Sequence, residues 1–317
     1  MKNRVGRAII GVLALLLLGF YTYRQEQIHW HSDDVAAWGP ATGLHPEGFQ
    51  ADTSMIPAAQ ETPVQMSVST EAPAAPVEPA AVEQPQALPS EPELSPVQQL
   101  ARDNAAALGL PAPPDVDLDS WEMMLANPTH PIETYQPPQM GYLNQTLSET
   151  DIQTNYNPNR CAVDLRIAEQ LLAFAQGCVD AGLPVYLSSG YRSYDEQSYL
   201  FQRKIGQGYT EEVAATIVAR PGTSEHQTGL ACDITDYYHE TKDSSLEQTA
   251  TYQWLRDNCA DYGFVVRYPA DKSGSADSIT GIIYEPWHFR YVGVDAAHYM
   301  TDNNLCLEEF LALYGVV

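Results

Sequence analysis

The fold of this chain is decided by one stretch, Ser224-Glu225-His226-Gln227-Thr228-Gly229-Leu230-Ala231-Cys232-Asp233. It sets a histidine and an aspartate with six residues between them. A second stretch, Glu285-Pro286-Trp287-His288, supplies another histidine and a further carboxylate. Two neutral imidazoles and one carboxylate can fill three corners of a tetrahedral zinc site and leave the fourth for water. The two stretches together therefore predict a zinc site.

The ligand set leaves one carboxylate free. His226, Asp233 and His288 are the candidate ligands, so Glu285 is available to take a proton from water whose pKa the zinc ion lowers. An offset of three in a regular strand puts two side chains on opposite faces. Pro286 indicates that Glu285 lies before the strand, where the chain can turn it back toward the metal.

Each of these residues also has an ordinary structural explanation. Asp233 could cap a helix or pair on the surface, His288 could be a packed core histidine between two aromatic residues, and Glu285 could be a solvated carboxylate. Arg192 is equally open: its guanidinium could recognise a carboxylate or a developing oxyanion, or could form a structural ion pair.

The pattern of apolar residues predicts an α+β domain with a small antiparallel sheet flanked by helices. Alternating or apolar runs predict strands at 185–189, 229–235, 264–268, 281–284 and 287–292. Periodic stripes predict helices from about Pro158 to Gly182, over 194–206 and 211–219, around Leu255, and twice near the C-terminus. A short helix within 97–110 is an open alternative to linker.

The first third of the chain has a different composition. Lys2, Arg4 and Arg7 precede an uncharged run over residues 8–23, which we interpret as an uncleaved membrane anchor at residues 1–24, although a cleaved signal peptide has a similar pattern. Residues 25–116 are acidic and rich in Pro and Ala, typical of a disordered linker. Residues 117–317 are left for the catalytic domain. This predicts a single-pass protein of the cell membrane with an extracellular domain.

Charge and cysteine content exclude several classes. The formal net charge of −25 argues against a nucleic-acid partner, because polyanions are bound through a surplus of Lys and Arg. The five cysteines form no CxxC pair, and their odd number leaves at least one thiol free. We expect the cysteines to be buried and to pack as small hydrophobic residues. We also expect the chain to be monomeric.

Three motifs together resemble the VanY family of zinc carboxypeptidases: Ser189-Gly190-Tyr191-Arg192-Ser193, residues 224–233 and residues 285–293. The family comprises D-alanyl-D-alanine carboxypeptidases and L,D-carboxypeptidase relatives that trim peptidoglycan stem peptides. The resemblance runs from about Asp119 to the C-terminus. It implies an LAS-type zinc peptidase fold, one Zn²⁺ and a stem-peptide substrate.

The resemblance also implies roles for single residues. His226, Asp233 and His288 match the zinc ligands, and Glu285 matches the catalytic base. Arg192 matches the arginine that contacts substrate near the scissile bond. Gln197 and Ser224 match positions that help to hold the terminal residue. The motifs leave D,D- and L,D-carboxypeptidase activity open, and a catalytically inert wall-binding relative is a third alternative.

Overall fold

The computed structural model describes residues 94–143, 152–155, 157–239 and 241–316. The predicted anchor and most of the predicted linker lie outside these residues. Among the described helices, none has the length and apolar character needed to cross a membrane.

In the described residues seven strands form two sheets, and the domain is α+β as predicted. A two-stranded antiparallel sheet pairs β1 with β3, and a five-stranded sheet has the order β2-β4-β5-β7-β6. All pairs in the larger sheet are antiparallel except the edge pair β2–β4, which is parallel. The strands are β1 Met140–Tyr142, β2 Gln153–Thr154, β3 Ala162–Asp164, β4 Val185–Ser189, β5 Ala231–Asp236, β6 Phe264–Tyr268 and β7 Glu285–Tyr291.

Seven α-helices surround these strands in the described part of the chain. They are α1 Pro96–Ala107, α2 Leu165–Asp180, α3 Tyr194–Gly206, α4 Glu211–Ile217, α5 Ala250–Asn258, α6 Val294–Asp302 and α7 Leu307–Leu313. Short 3₁₀ turns connect several of them, and the turn Glu225–Thr228 carries part of the first motif.

The main core lies between α2 and one face of the larger sheet. Ile167, Leu171 and Phe174 of the helix are fully buried in one cluster with Cys232 and Phe289 of the strands. Cys232 and Phe289 are cross-strand partners on β5 and β7. Because side chains alternate along a strand, the next pair, Asp233 and His288, points to the opposite face. The hydrophobic core thus fixes which sheet face receives the polar residues.

Helix α2 begins later than the sequence pattern predicts. The predicted start near Pro158 is wrong: a 3₁₀ turn at Pro158–Cys161 and strand β3 come first, and Asp164 then caps the helix by accepting a hydrogen bond from the backbone N–H of Arg166. The pattern could not reveal β3, because three residues are too few to show the alternation that marks a strand.

The predicted strand at 281–284 is also absent from the structure. These residues form a loop, and the next strand begins at Glu285 rather than at Trp287. Glu285 is therefore the first residue of β7 and does not precede the strand.

The linker was predicted to reach residue 116, but its last part is folded onto the domain. Ala101 and Ala105 of α1 are fully buried in a second core with Phe310 and Leu311 of α7. The Asn104 side-chain amide donates to the Leu313 carbonyl at 2.8 Å. The open alternative of a helix within 97–110 is confirmed by α1, which packs against the C-terminal part of the domain.

Candidate active site

The three predicted ligands meet on the sheet face that points away from α2. His226 lies in the 3₁₀ turn before β5, Asp233 lies on β5, and His288 is the cross-strand partner of Asp233 on β7. One donor atom from each lies within 4.8 Å of the others, and all three residues are buried. Asp233 Oδ1 is 3.3 Å from His226 Nε2 and 3.2 Å from His288 Nδ1.

Two glycines allow the turn that brings His226 to this point. Gly229 has a φ of 72°, a left-handed conformation that ends the 3₁₀ turn. Gly190 lies so close to β3 that an added Cβ would meet the Ala162 carbonyl oxygen at 2.2 Å. The Gly190 carbonyl in turn accepts a hydrogen bond from His226 Nδ1 at 2.7 Å. That bond places the proton of His226 on Nδ1 and leaves Nε2 as a lone-pair donor.

The donor set suits a metal cation. Asp233 Oδ1 and His288 Nδ1 are buried and have no hydrogen-bond partner among the described residues. Together with His226 Nε2 they bring three electron-pair donors to one point, and such a group is costly to bury unless a cation lies between them. Two imidazole nitrogens and one carboxylate oxygen are the donors that zinc takes in catalytic sites.

Glu285 lies beside this set. Its Oε2 is 3.6 Å from His288 Nδ1, and its side chain is only 12% exposed. The two residues share a face although they are three positions apart, because the pairing of β6 with β7 shifts register between Val266 and Tyr268. Strand irregularities of this kind redirect side chains. The change of direction that was expected before the strand therefore occurs within β7.

The surroundings shift the titration of several of these groups. Burial, with a further contribution from the charge of Asp233, raises the pKa of Glu285 to about 8. Burial and then the Arg192 charge lower the pKa of His226 to about 4. Burial opposes ionisation of Asp233, yet Lys242 and then His226 hold its pKa well below the usual range. In the metal-free chain the site therefore favours ionised Asp233, neutral His226 and protonated Glu285 at neutral pH.

Arg192 is held at the edge of the site. Its backbone N–H donates to the His226 carbonyl at 3.1 Å, and its Nη1 donates to Gln197 Oε1 at 2.8 Å. Gln197 is fully buried and donates from Nε2 to the Ala219 carbonyl at 2.6 Å. Ser224 is buried directly before the turn that carries His226.

Two charged residues near the site, Lys242 and Glu225, were missed by the sequence reasoning. Lys242 Nζ lies 2.7 Å from Asp233 Oδ2, the carboxylate oxygen turned away from the two histidines. Glu225 is fully buried beside His226 and pairs with Arg267 and Arg290. Glu225 stands inside the quoted motif, which is a signal that could have been used; Lys242 has no such signal, because a loop brings it back to the site.

Comparison with known proteins assigns this arrangement to a family. Residues 160–294 match VanY, the D-alanyl-D-alanine carboxypeptidase family. A D-alanyl-D-alanine carboxypeptidase of Enterococcus faecalis is 35% identical over 204 residues, which are 62% of this chain and 67% of that relative. The chain belongs to the VanY family. The resemblance drawn from the three motifs is thereby confirmed.

Solved structures are also similar to this chain. The LD-carboxypeptidase LdcB has a TM-score of 0.54 and 32% identity, over 63% of this chain and 92% of LdcB. A mutant of the vancomycin-resistance D,D-pentapeptidase VanY, solved in complex with Zn(II), has a TM-score of 0.49 and 33% identity, over 61% of this chain and 99% of that one.

Proposed function

We propose that this VanY-family chain is a zinc-dependent D-alanyl-D-alanine carboxypeptidase that removes the C-terminal D-alanine from peptidoglycan stem peptides. The observation that carries the proposal is the convergence of three buried donors within 4.8 Å, with Glu285 next to them. A catalytically inert wall-binding relative would not need to keep both a complete ligand set and a buried carboxylate beside it.

His226, Asp233 and His288 would hold the metal. A bound zinc ion would polarise the scissile carbonyl and lower the pKa of water. Glu285 Oε2 would accept the proton of the attacking water and pass it to the departing amine of D-alanine. Burial raises the pKa of Glu285 in the metal-free chain. A cation bound beside it would lower that pKa again and leave the carboxylate ionised to accept the proton.

End selectivity would come from Arg192. Gln197 uses both ends of its amide within the protein, so we assign it to orient the Arg192 guanidinium rather than to contact substrate directly. The guanidinium is then available to the terminal carboxylate of the substrate or to the scissile carbonyl. Ser224, directly before the turn that carries His226, would assist in holding the terminal residue.

The experiment compares a pentapeptide ending in D-alanyl-D-alanine with the same peptide carrying a terminal amide. We expect the acid to be cleaved at least about a hundredfold faster, which corresponds to roughly 3 kcal/mol, and we expect a chelator to abolish cleavage. Arg192→Ala should slow cleavage of the acid and narrow this gap. Arg256→Ala, a surface arginine paired with Asp257, should change neither. Equal rates on acid and amide would contradict the proposal and favour an endopeptidase.

An L,D-carboxypeptidase that acts on tetrapeptides is the second candidate, because LdcB is an LD-carboxypeptidase and superposes with a TM-score of 0.54. Mass spectrometry of products from defined penta- and tetrapeptides separates the two activities. Cleavage of the tetrapeptide alone would assign the L,D activity, and cleavage of neither would leave the wall-binding alternative.

The place of action remains a separate proposal. The basic residues Lys2, Arg4 and Arg7 before the uncharged run 8–23 support an N-terminal anchor with the catalytic domain outside the cell membrane. Membrane fractionation with protease treatment of intact cells tests it. Recovery of the chain in the cytoplasmic fraction would contradict it. We further propose a monomer, which light scattering of the purified chain would check.

A further inference from the structure

A cluster of buried charged residues lies beneath the ligand set. Arg267 Nε and Arg290 Nη1 each donate to Glu225 Oε1 at 2.8 Å, and Arg267 also donates to both carboxylate oxygens of Glu308 at 2.7 and 2.9 Å. The three charged residues Glu225, Arg267 and Arg290 are almost completely buried. Buried ion pairs are weak contributors to stability, because desolvation offsets their attraction. The cluster therefore calls for an explanation beyond stability.

The two oxygens of Glu225 have different surroundings. Oε1 accepts both arginines, whereas Oε2 is buried and has no hydrogen-bond partner among the described residues. The facing atom is His288 Nε2, at 4.0 Å, which is also buried without a partner in this part of the chain. A shift of about 1 Å would bring the pair to hydrogen-bond distance.

The ring of His288 has carboxylates on both sides, three in all among the described residues. Nδ1 faces Asp233 and Glu285 at 3.2 and 3.6 Å, and Nε2 faces Glu225 on the other side. If the proton of the neutral ring is on Nε2, the Nδ1 lone pair points into the ligand set. His226 has the opposite arrangement, because its Nδ1 donates to the Gly190 carbonyl and its Nε2 is left for the metal.

We propose that Glu225 is a positioning residue: its Oε2 accepts the Nε2–H of His288 and thereby presents Nδ1 to the metal. The two arginines hold the carboxylate in place and keep it an acceptor. Metal-binding histidines generally donate their second ring N–H to a carboxylate or carbonyl, and loss of that partner lowers metal affinity about 10- to 100-fold. The inference rests on the metal site of the proposed function.

Glu225→Gln tests this role sharply. The amide oxygen can replace Oε1 in accepting the two arginines, which leaves the NH₂ group facing His288 Nε2. An N–H donor facing His288 Nε2 favours a lone pair on Nε2. The ring proton then moves to Nδ1, which can no longer bind the metal. We expect the zinc affinity of the purified full chain, measured by competition with a chromophoric chelator, to fall about 10- to 100-fold.

Glu308→Gln is the matched control. Glu308 is the second carboxylate that pairs with Arg267, and it belongs to the same buried cluster. Among the described residues its hydrogen bonds go to Arg267 and Asn127, not to His288. Both variants should lower the unfolding midpoint of the metal-free chain, while only Glu225→Gln should lower zinc affinity. Equal zinc affinity in the two variants and the unaltered chain would reduce Glu225 to a structural role.

A spectroscopic readout keeps the inference testable if Glu225→Gln does not fold. Nitrogen-15 NMR of the histidine-labelled, zinc-loaded unaltered chain should show His288 protonated at Nε2 and His226 protonated at Nδ1. A His288 that binds zinc through Nε2 would overturn the inference and leave the proposed function standing. Failure of the unaltered chain to bind zinc would overturn both.

Discussion

At the residue scale, a substitution at Glu285 tests whether this carboxylate carries a proton or binds the metal. Glu285 lies 3.6 Å from His288 Nδ1, yet the three other side chains already make up the donor set. We therefore expect Glu285→Gln to keep its zinc, because no ligand is removed, and to lose about 10²- to 10⁴-fold in kcat, the usual contribution of a positioned acid–base group.

Metal analysis and steady-state kinetics of the purified variant check this expectation. Glu169→Gln is a suitable control, since Glu169 is exposed on α2, on the other side of the sheet. Loss of zinc from Glu285→Gln would make Glu285 a ligand, and near-normal turnover would remove it from the mechanism.

At the residue scale the sequence was informative wherever a motif carried the chemistry. The structure brings His226, Asp233, His288 and Glu285 together, as the motifs predicted, because metal ligands restrict residue type and spacing. The partners around them could not be predicted. Lys242 contacts Asp233 because the loop after β5 folds back toward the site. No local sequence pattern predicts such a contact.

At the scale of elements, sequence periodicity predicted the long helices and the central strands but not the irregular segments. Strand β4 and helix α3 were predicted with the bounds that the structure has. The start of β7 depends instead on a register shift against β6, which is a tertiary feature. The two-residue strand β2 and the three-residue strands β1 and β3 are likewise defined only by their partners.

Helix α1 offers a prediction at this scale. Ala105 is fully buried against the C-terminal helices, whereas its neighbour Ala106 is exposed on the same helix. Ala105→Asp should cost about 1 to 3 kcal/mol, because the helix would detach rather than bury a charge, which limits the loss to its docking energy. Ala106→Asp controls for the change in helix propensity.

Chemical denaturation of both variants measures the difference. The active site lies on the larger sheet and α1 belongs to the second core, so kcat/KM should be unchanged in both. An Ala105→Asp variant as stable as Ala106→Asp would show that residues 94–116 behave as linker after all.

At the scale of the whole molecule, the described domain has a hydrophobic core and also buries charged residues and thiols. All five cysteines are free and buried, which agrees with the expectation of small hydrophobic residues. Burial raises the pKa of Cys178, Cys259 and Cys306 to about 12, so these thiols are unreactive at neutral pH.

The site also makes the stability of the whole metal-free chain depend on pH. The pKa of Glu285 is about 8 in the folded chain against 4.5 for an ordinary glutamate. The folded state therefore binds more protons than the unfolded state between these values, and stability decreases as the pH rises through this window. His226 acts in the opposite sense: its pKa falls from 6.5 to about 4, so its contribution is complete above pH 6.5 and is lost as the pH falls toward 4.

Below pH 6.5 the effects of Glu285 and His226 on stability oppose each other. Above pH 6.5 only the effect of Glu285 continues to change with pH. We expect the free energy of unfolding of the metal-free chain to decrease from pH 6.5 to pH 8, by up to about 1.4 kcal/mol per pH unit for one proton. Urea denaturation in the presence of chelator measures it. Glu285→Gln has no carboxyl to titrate and should show a flatter profile over this window, while Glu169→Gln should keep the slope. A slope that persists in Glu285→Gln would contradict this assignment and attribute the titration to another group.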